Sequence, residues 1–315
     1  MKKIRKTTRH LLKFLKYKTL RISLVALAAF LFIPQVKEFC DKQTDGFSIA
    51  KISADLPFNP DWDVAPLSLE ENSRVEKILQ QPFHYLASGG QCYAFESEDG
   101  RYVLKFFKLH RRLVPRFLSS LPLPKNLKKR LSKTISERRA KLCRDFNSHK
   151  LVYEELKEES GLLFVHLNTT QSLKKKLLII DKLNIAHPLN ADEHFFVLQK
   201  KAELVFPYFQ ELMEQNDIEQ AKKAIHLMLK VLVARCQKGI YDEDPRLHRN
   251  FGFASGKAIF IDVGRFRKDP SRTSVAIYHQ DLLSIVKRFK LWLQTDYPAL
   301  STCLEEELHE IEKNS

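Results

Sequence analysis

Apolar residues along this chain recur in two rhythms, and the change from one to the other marks its organisation. Over residues 83–95 and 102–107 the apolar runs are short, rich in aromatic and β-branched residues, and separated by Gly89-Gly90 and Asp99-Gly100. That pattern predicts strand, glycine turn, strand, then a hairpin turn into a third strand. Residues 161–167 and 176–180 have the same character and predict two further strands. Beyond them the period lengthens. Ala224, Leu227, Met228, Val231 and Leu232 fall on one helical face of residues 218–239, with Gly239 as the stop. Residues 281–295 and 304–313 predict two more helices, residues 136–156 another, and residues 69–80 a short one. Asp181-Lys182-Leu183-Asn184 is the expected hinge between the strand-rich and helix-rich parts.

One position breaks the third strand: Lys105 interrupts Val103-Leu104-Lys105-Phe106-Phe107. Side chains alternate across a strand, so Lys105 shares a face with Val103 while Leu104 and Phe106 take the other. A cation there can reach phosphates lying under the preceding Gly89-Gly90 turn. A second polar set follows about 150 residues on, in Tyr241-Asp242-Glu243-Asp244-Pro245-Arg246-Leu247-His248-Arg249-Asn250. After eleven intervening residues comes Asp262-Val263-Gly264, at the end of the apolar run Ala258-Ile259-Phe260-Ile261. Phosphoryl transfer needs these residue types, because Mg²⁺ prefers oxygen ligands and a carboxylate must orient or deprotonate the accepting hydroxyl.

In this order and spacing, residues 83–290 resemble the protein kinase-like superfamily, as a divergent, bacterial-type domain with an N-terminal hydrophobic segment. The segment from Leu86 to Phe95 is similar to the kinase Gly-rich loop. Ala87 and Cys92 stand at the first and third glycine positions and Gly89 matches. Val103-Leu104-Lys105 looks like the Val-Ala-Ile-Lys strand. The resemblance implies an α+β, two-lobed fold, with a small antiparallel-sheet N-lobe and a mostly helical C-lobe, preceded by an N-terminal hydrophobic helix. Residues 71–183 would form the N-lobe, with a basic insertion at 108–150, and residues 184–315 the helical C-lobe.

The resemblance also implies ATP and Mg²⁺ as cofactors. Gly89, Gly90 and Lys105 would bind nucleotide, and Asn250 and Asp262 the metal. The catalytic base would be Asp244 or Asp242. No His-Arg-Asp precedes Asn250, and Asp244 lies six residues before it rather than five. The helix carboxylate that would pair with Lys105 has four candidates, Glu137, Asp145, Glu154 and Glu155. The implied activity is a membrane-associated phosphotransferase that phosphorylates an unidentified protein, lipid or small-molecule hydroxyl. The displaced Asp and incomplete glycine pattern keep open a catalytically inactive pseudokinase or adaptor that binds an anionic partner.

Charge adds a membrane-facing element. Of the net +15, the first 21 residues carry nine Lys or Arg and no acid. This basic head, residues 1–21, precedes a hydrophobic segment, residues 22–36, and a polar, Pro-punctuated linker, residues 37–70. The fifteen positions of residues 22–36 cover only ~22 Å as a helix, against ~30 Å of hydrocarbon. Spanning with snorkelling, lying along an anionic surface, and removal as an export signal all fit this pattern. A spanning segment would put the main domain on the far side from the basic head. From Lys108 to Lys150 fourteen Lys or Arg face two acids, Glu137 and Asp145. Such a run suits anionic lipid head groups or a phosphorylated substrate as well as a solvated helix face, and its sparse aromatic interleaving argues against a single-strand nucleic-acid platform. Five widely spaced cysteines predict neither a disulfide framework nor a zinc site, and His248 reads as a loop residue without a catalytic role.

Overall fold

The computed structural model describes residues 21, 30, 32–115 and 117–313. Contacts divide the chain into two units, Met1–Ser48 and Ile49–Ser315. In the first, residues 32–44 are helical and stop at Asp45-Gly46, where both φ angles are positive and the Gly46 amide donates to the Asp41 carbonyl. Most of the hydrophobic segment, residues 22–36, lies outside the described residues. Among the described residues no helix is long and apolar enough to cross a membrane, so the expected N-terminal hydrophobic helix is not found there.

The second unit is mixed α+β. Its larger sheet contains β1 (Pro82–Ser88), β2 (Cys92–Ser97), β3 (Tyr102–Phe107), β4 (Leu162–His166), β5 (Lys176–Ile180), β6 (Ala186–Asn190) and β7 (Phe196–Lys200). They lie in the order β4-β7-β3-β2-β1-β5-β6. The two hairpins among the first three strands form as their turns predict. Gly100 has φ +68°, and the Asp99 carboxylate accepts from the Ser97 hydroxyl and the Arg101 amide, which closes the β2–β3 turn. All pairings in this sheet are antiparallel except β1 with β5, because the β5–β6 hairpin returns to the outer edge of β1.

That hairpin corrects the expected hinge. Asp181-Lys182-Leu183-Asn184 closes β5 onto β6: the Asp181 amide donates to the Ile185 carbonyl, and Asn184 takes the left-handed conformation at φ +62°. The Asp181 carboxylate accepts from the Leu183 and Ile185 amides and pairs with His187, so the segment is pinned to the sheet. The chain passes from sheet to helices through Lys201–Leu204, directly after β7.

Six longer helices pack with the sheet: α1 (Leu69–Leu79), α2 (Lys125–Glu155), α3 (Val205–Glu214), α4 (Ile218–Gln237), α5 (Val275–Asp296) and α6 (Pro298–Lys313). Ser68 and Glu71 form a reciprocal capping box at the start of α1. Asp217 caps α4 through the Gln220 amide, and Gly239, at φ +62°, follows its end. Helix α2 starts eleven residues before the expected Ser136, straight after Pro124, whose fixed φ suits a helix entry.

A continuous apolar core joins both parts. Phe107 of β3, Phe146 of α2 and Phe195 sit ring against ring at 4.7 and 5.7 Å, and Trp62 meets Phe146 edge-on at 4.8 Å. Two residues of the linker segment join the packed interior: Ile52, in the helical turn Ile49–Ile52, and Trp62 are buried. Truncation of Phe146 to Ala should remove ~3–5 kcal/mol of stability, as for other buried aromatics. A lower urea midpoint with unchanged slope, followed by tryptophan emission, would show it; a change under ~1 kcal/mol would contradict the packing.

Candidate functional site

The site is assembled where β3 passes beneath the β1–β2 turn. Lys105 projects from β3 into the protein, and its Nζ donates at 2.6 Å to Gln199 Oε1 and at 2.6 Å to the Ile261 carbonyl, one residue before Asp262. Burial lowers the Lys105 pKa, and the nearby Asp262 charge opposes that shift. The same burial, reinforced by Asp262, pushes the Cys92 thiol up to about 12, so it stays protonated and unreactive.

None of the four helix carboxylates forms an ion pair with Lys105. Asp145 is buried against Arg112 at 2.6 Å, Glu155 pairs with Lys268 at 2.9 Å, Glu154 with Lys150 at 3.5 Å, and Glu137 with Lys133 at 3.9 Å. Gln199 of β7 takes the carboxylate's place, and sequence reading missed it. Its Oε1 receives Lys105 while its Nε2 donates to the Ser160 and Phe260 carbonyls at 2.7 and 2.8 Å. One amide thus satisfies a cation and two buried carbonyls, which a carboxylate cannot do because it has no donor. The only signal in the sequence was a Gln following the apolar run Phe195-Phe196-Val197-Leu198.

Helix α2 contributes His149 and Ser148 on the side facing the site. The His149 Nδ1 lies 2.7 Å from the Asp145 carbonyl and its ring packs edge-on to Phe107. Burial holds its pKa down to about 4, despite the Asp145 carbonyl and the Asp262 charge, both of which favour protonation. Ser148 donates to the Val263 carbonyl and accepts from the Phe266 amide at 2.7 Å, so α2 grips Asp262-Val263-Gly264 by its backbone.

The acidic loop is held at both ends by small sheets. On one side β9 (Ile240–Asp242) pairs with β12 (Phe266–Lys268), setting Asp242 opposite Phe266. On the other, β10 (Phe251–Ala254) pairs with β11 (Lys257–Phe260) and with β8 (Glu203–Leu204). The ladder continues as the Ile261 amide donates to the Asn250 carbonyl at 2.7 Å, so Asn250 and Asp262 become neighbours despite their separation in sequence. Asn250 Nδ2 donates to the Asp244 carbonyl at 2.8 Å, which fixes the loop between them.

The two candidate bases have different surroundings. Asp242 is buried, 4.0 Å from the buried Arg235, and accepts from the Asp244 amide. Burial raises its pKa to about 6, with Arg235 and the Asp244 amide opposing the rise. Asp244 is half-exposed and paired with Arg246 at 2.7 Å. Its carboxylate can reach a bound molecule, whereas that of Asp242 anchors the loop.

Above the site, the Gly89 amide donates to the Cys92 carbonyl at 2.9 Å, and the Gly90 carbonyl lies 3.3 Å from Arg111. Lys108, another residue the motif reading passed over, is 3 % exposed. Its Nζ binds the Ser88 hydroxyl and the Gly89 carbonyl, each at 2.6 Å, and lies 4.2 Å from the Tyr93 ring centre. Gln91 reaches down to the Gly264 carbonyl at 3.3 Å, so tightly that a Cβ on Gly264 would lie 1.7 Å from its Oε1. That Oε1 is buried without a hydrogen-bond partner.

A divalent cation fits the donor set. Asn250 and Asp262 each offer hard side-chain oxygens, and Asp262 is exposed, with one oxygen accepting from the Gly264 amide. Among the described residues no group of three or more His, Cys, Asp or Glu could hold a metal ion. Phosphate oxygens and water would have to complete any shell at Asn250 and Asp262, as is usual for Mg²⁺.

No protein-family description matches the chain, and no curated protein does. Among solved structures it is similar to the bifunctional kinase-methyltransferase WbdD, at 15 % identity and a TM-score of 0.30, over 69 % of this chain and 42 % of that one. Another match is to Rv3197 from Mycobacterium tuberculosis in complex with erythromycin, at 14 % identity and a TM-score of 0.31, over 76 % and 60 %. The chain spans less than half the length of the WbdD chain. Similarity at this level leaves the chemistry to be read from the residues themselves.

His149 makes the site acid-sensitive. Its folded pKa lies below the unfolded value near 6.5, so the unfolded chain binds the extra proton between the two, and stability falls as pH drops from about 6.5 towards about 4. The loss attributable to this residue is on the order of 3 kcal/mol. His149→Gln should flatten that part of the stability profile in urea titrations at successive pH values; an identical slope in the variant would refute the assignment.

Proposed function

We propose that this chain is a kinase-like phosphotransferase that uses Mg-ATP to phosphorylate a hydroxyl group. The observation that carries the reading is the Lys105 ammonium held 2.6 Å from the carbonyl of Ile261, the residue before Asp262. Lys105 would neutralise nucleotide phosphate charge, and the Gly89-Gly90 turn would cover it. Asn250 and Asp262 would hold Mg²⁺, which when bound neutralises and orients the transferred phosphoryl group. Asp244 would accept or orient the hydroxyl proton, and Asp242 would hold the Asp244 amide in place. The basic head, residues 1–21, and the segment at 22–36 would bring the protein to an anionic membrane surface. Supporting this, Phe30, Phe32, Ile33 and Phe39 of the first unit are exposed.

A second reading, a membrane-tethered pseudokinase adaptor, draws support from two contacts. Lys105 has no carboxylate partner of its own on α2, and Gln91 fills the space over Gly264.

Thermal melting of the full chain with and without Mg-ATP separates these readings. At a hundred times the dissociation constant a ligand should stabilise the fold by ~2.7 kcal/mol, a shift of a few degrees. The shift should vanish in Lys105→Met and Asp262→Asn; no shift in the wild type would overturn the nucleotide site. Asp244→Asn should keep the shift and lower turnover ~10²–10⁴-fold, as expected on loss of a general base. A nucleotide shift with no turnover in the wild type would favour the adaptor.

A further inference from the structure

One cavity of the second unit is lined by neither Lys105 nor Asp262. It measures about 790 Å³ and opens between residues 50–62, the helical turn Leu109–Arg112 and the middle of α2. Its lining is mixed: Leu56, Phe58, Leu113 and Val114 give it an apolar side, Asp55, Asn59 and His110 line it as well, and its size is that of a small-molecule site. Arg112 and Arg139 also line it. Arg112 is already neutralised by Asp145 at 2.6 Å, whereas Arg139 forms no ion pair among the described residues. Arg139 belongs to the most basic stretch of α2, where residues 125–144 carry nine Lys or Arg and a single acid, Glu137.

An apolar side facing a guanidinium without an ion pair, on a basic helix, matches one ligand chemistry. Its walls gain by removing hydrocarbon from water, roughly 25 cal/mol per Å², while Arg139 supplies a fork of donors for an anionic head. A free inorganic anion would leave the apolar side unused, and a neutral hydrocarbon would leave Arg139 unmatched. We propose that this cavity binds a single-chain anionic amphiphile, a carboxylate or phosphate head on one acyl chain, with the chain against the half-buried Leu56 and Leu113 and the head at Arg139. The site is independent of the nucleotide reading and is lined by residues of the second unit. It assigns the basic run at 108–150 to an anionic ligand.

The chain has two tryptophans, Trp62 in the cavity wall and Trp292 on α5, which packs with Phe206 of α3 and Phe289 of α5. Full-length Trp292→Phe protein therefore reports on the cavity through Trp62 emission. Bromostearate, a bromine-labelled fatty acid, should quench that emission saturably at concentrations below micelle formation. Ala50→Phe, which adds bulk at a cavity-lining position without altering charge, should abolish saturable quenching. Arg139→Glu should weaken it about tenfold or more, the loss expected for one charge-assisted hydrogen bond. Inorganic phosphate should not compete. Quenching unchanged in both variants would mean adsorption to the basic surface and would overturn the proposal, as would displacement by phosphate alone or absence of quenching in the parent. Unaltered melting of the two variants without ligand would show that they fold.

Discussion

A lysine ammonium enclosed by protein is the constraint around which the rest of this structure is arranged. Burial disfavours a charge unless its donors are met, and Lys105 is met by one side-chain amide and one backbone carbonyl. The first of these, Gln199, is itself bound to the Ser160 and Phe260 carbonyls, and the second belongs to the residue before Asp262. Sheet, connecting segment and acidic loop therefore meet at one amide. Any movement of β11 relative to β3 would leave a cation or a buried carbonyl unpaired.

Helix α2 extends that arrangement outward. Its inner face holds the Asp262-Val263-Gly264 backbone through Ser148, and packs Phe146 and His149 against Phe107. One turn earlier, Asp145 is spent on Arg112. That pairing explains why α2 sends no carboxylate to Lys105: the acid nearest the site is committed to the basic turn beside the cavity. The same helix thus ties a polar, site-facing region to a cationic outer region, and His149 stays uncharged between the two.

The short elements around the acidic loop show how local pairing creates function-bearing geometry. Neither the three-residue β9 nor the four-residue β10 would persist alone, but each pairs with a strand flanking Asp262. The loop is consequently clamped from both sides, and Asp242, Asp244, Asn250 and Asp262 converge although they spread over twenty residues. Burial then separates the two candidate acids, leaving Asp242 enclosed with Arg235 and Asp244 open to solvent.

Much of this was legible in the amino-acid sequence, for definite reasons. The β1–β2–β3 hairpins are written in alternation and in Gly89-Gly90 and Asp99-Gly100, because turns of that kind depend on residues within a few positions. The long helices are written in their apolar period, and Lys105 in its interruption of a strand. The tertiary structure decided what depends on partners distant in the chain. Asp181–Asn184 carries no mark that distinguishes a hinge from a hairpin turn; the edge of β1 makes it a turn, because β5 pairs there. Gln199, Lys108 and Gln91 are ordinary polar residues in sequence, and their roles come from the carbonyls and the turn placed against them by folding. Local chemistry thus determined which elements form, whereas the burial of unpaired polar groups decided which distant residues had to meet.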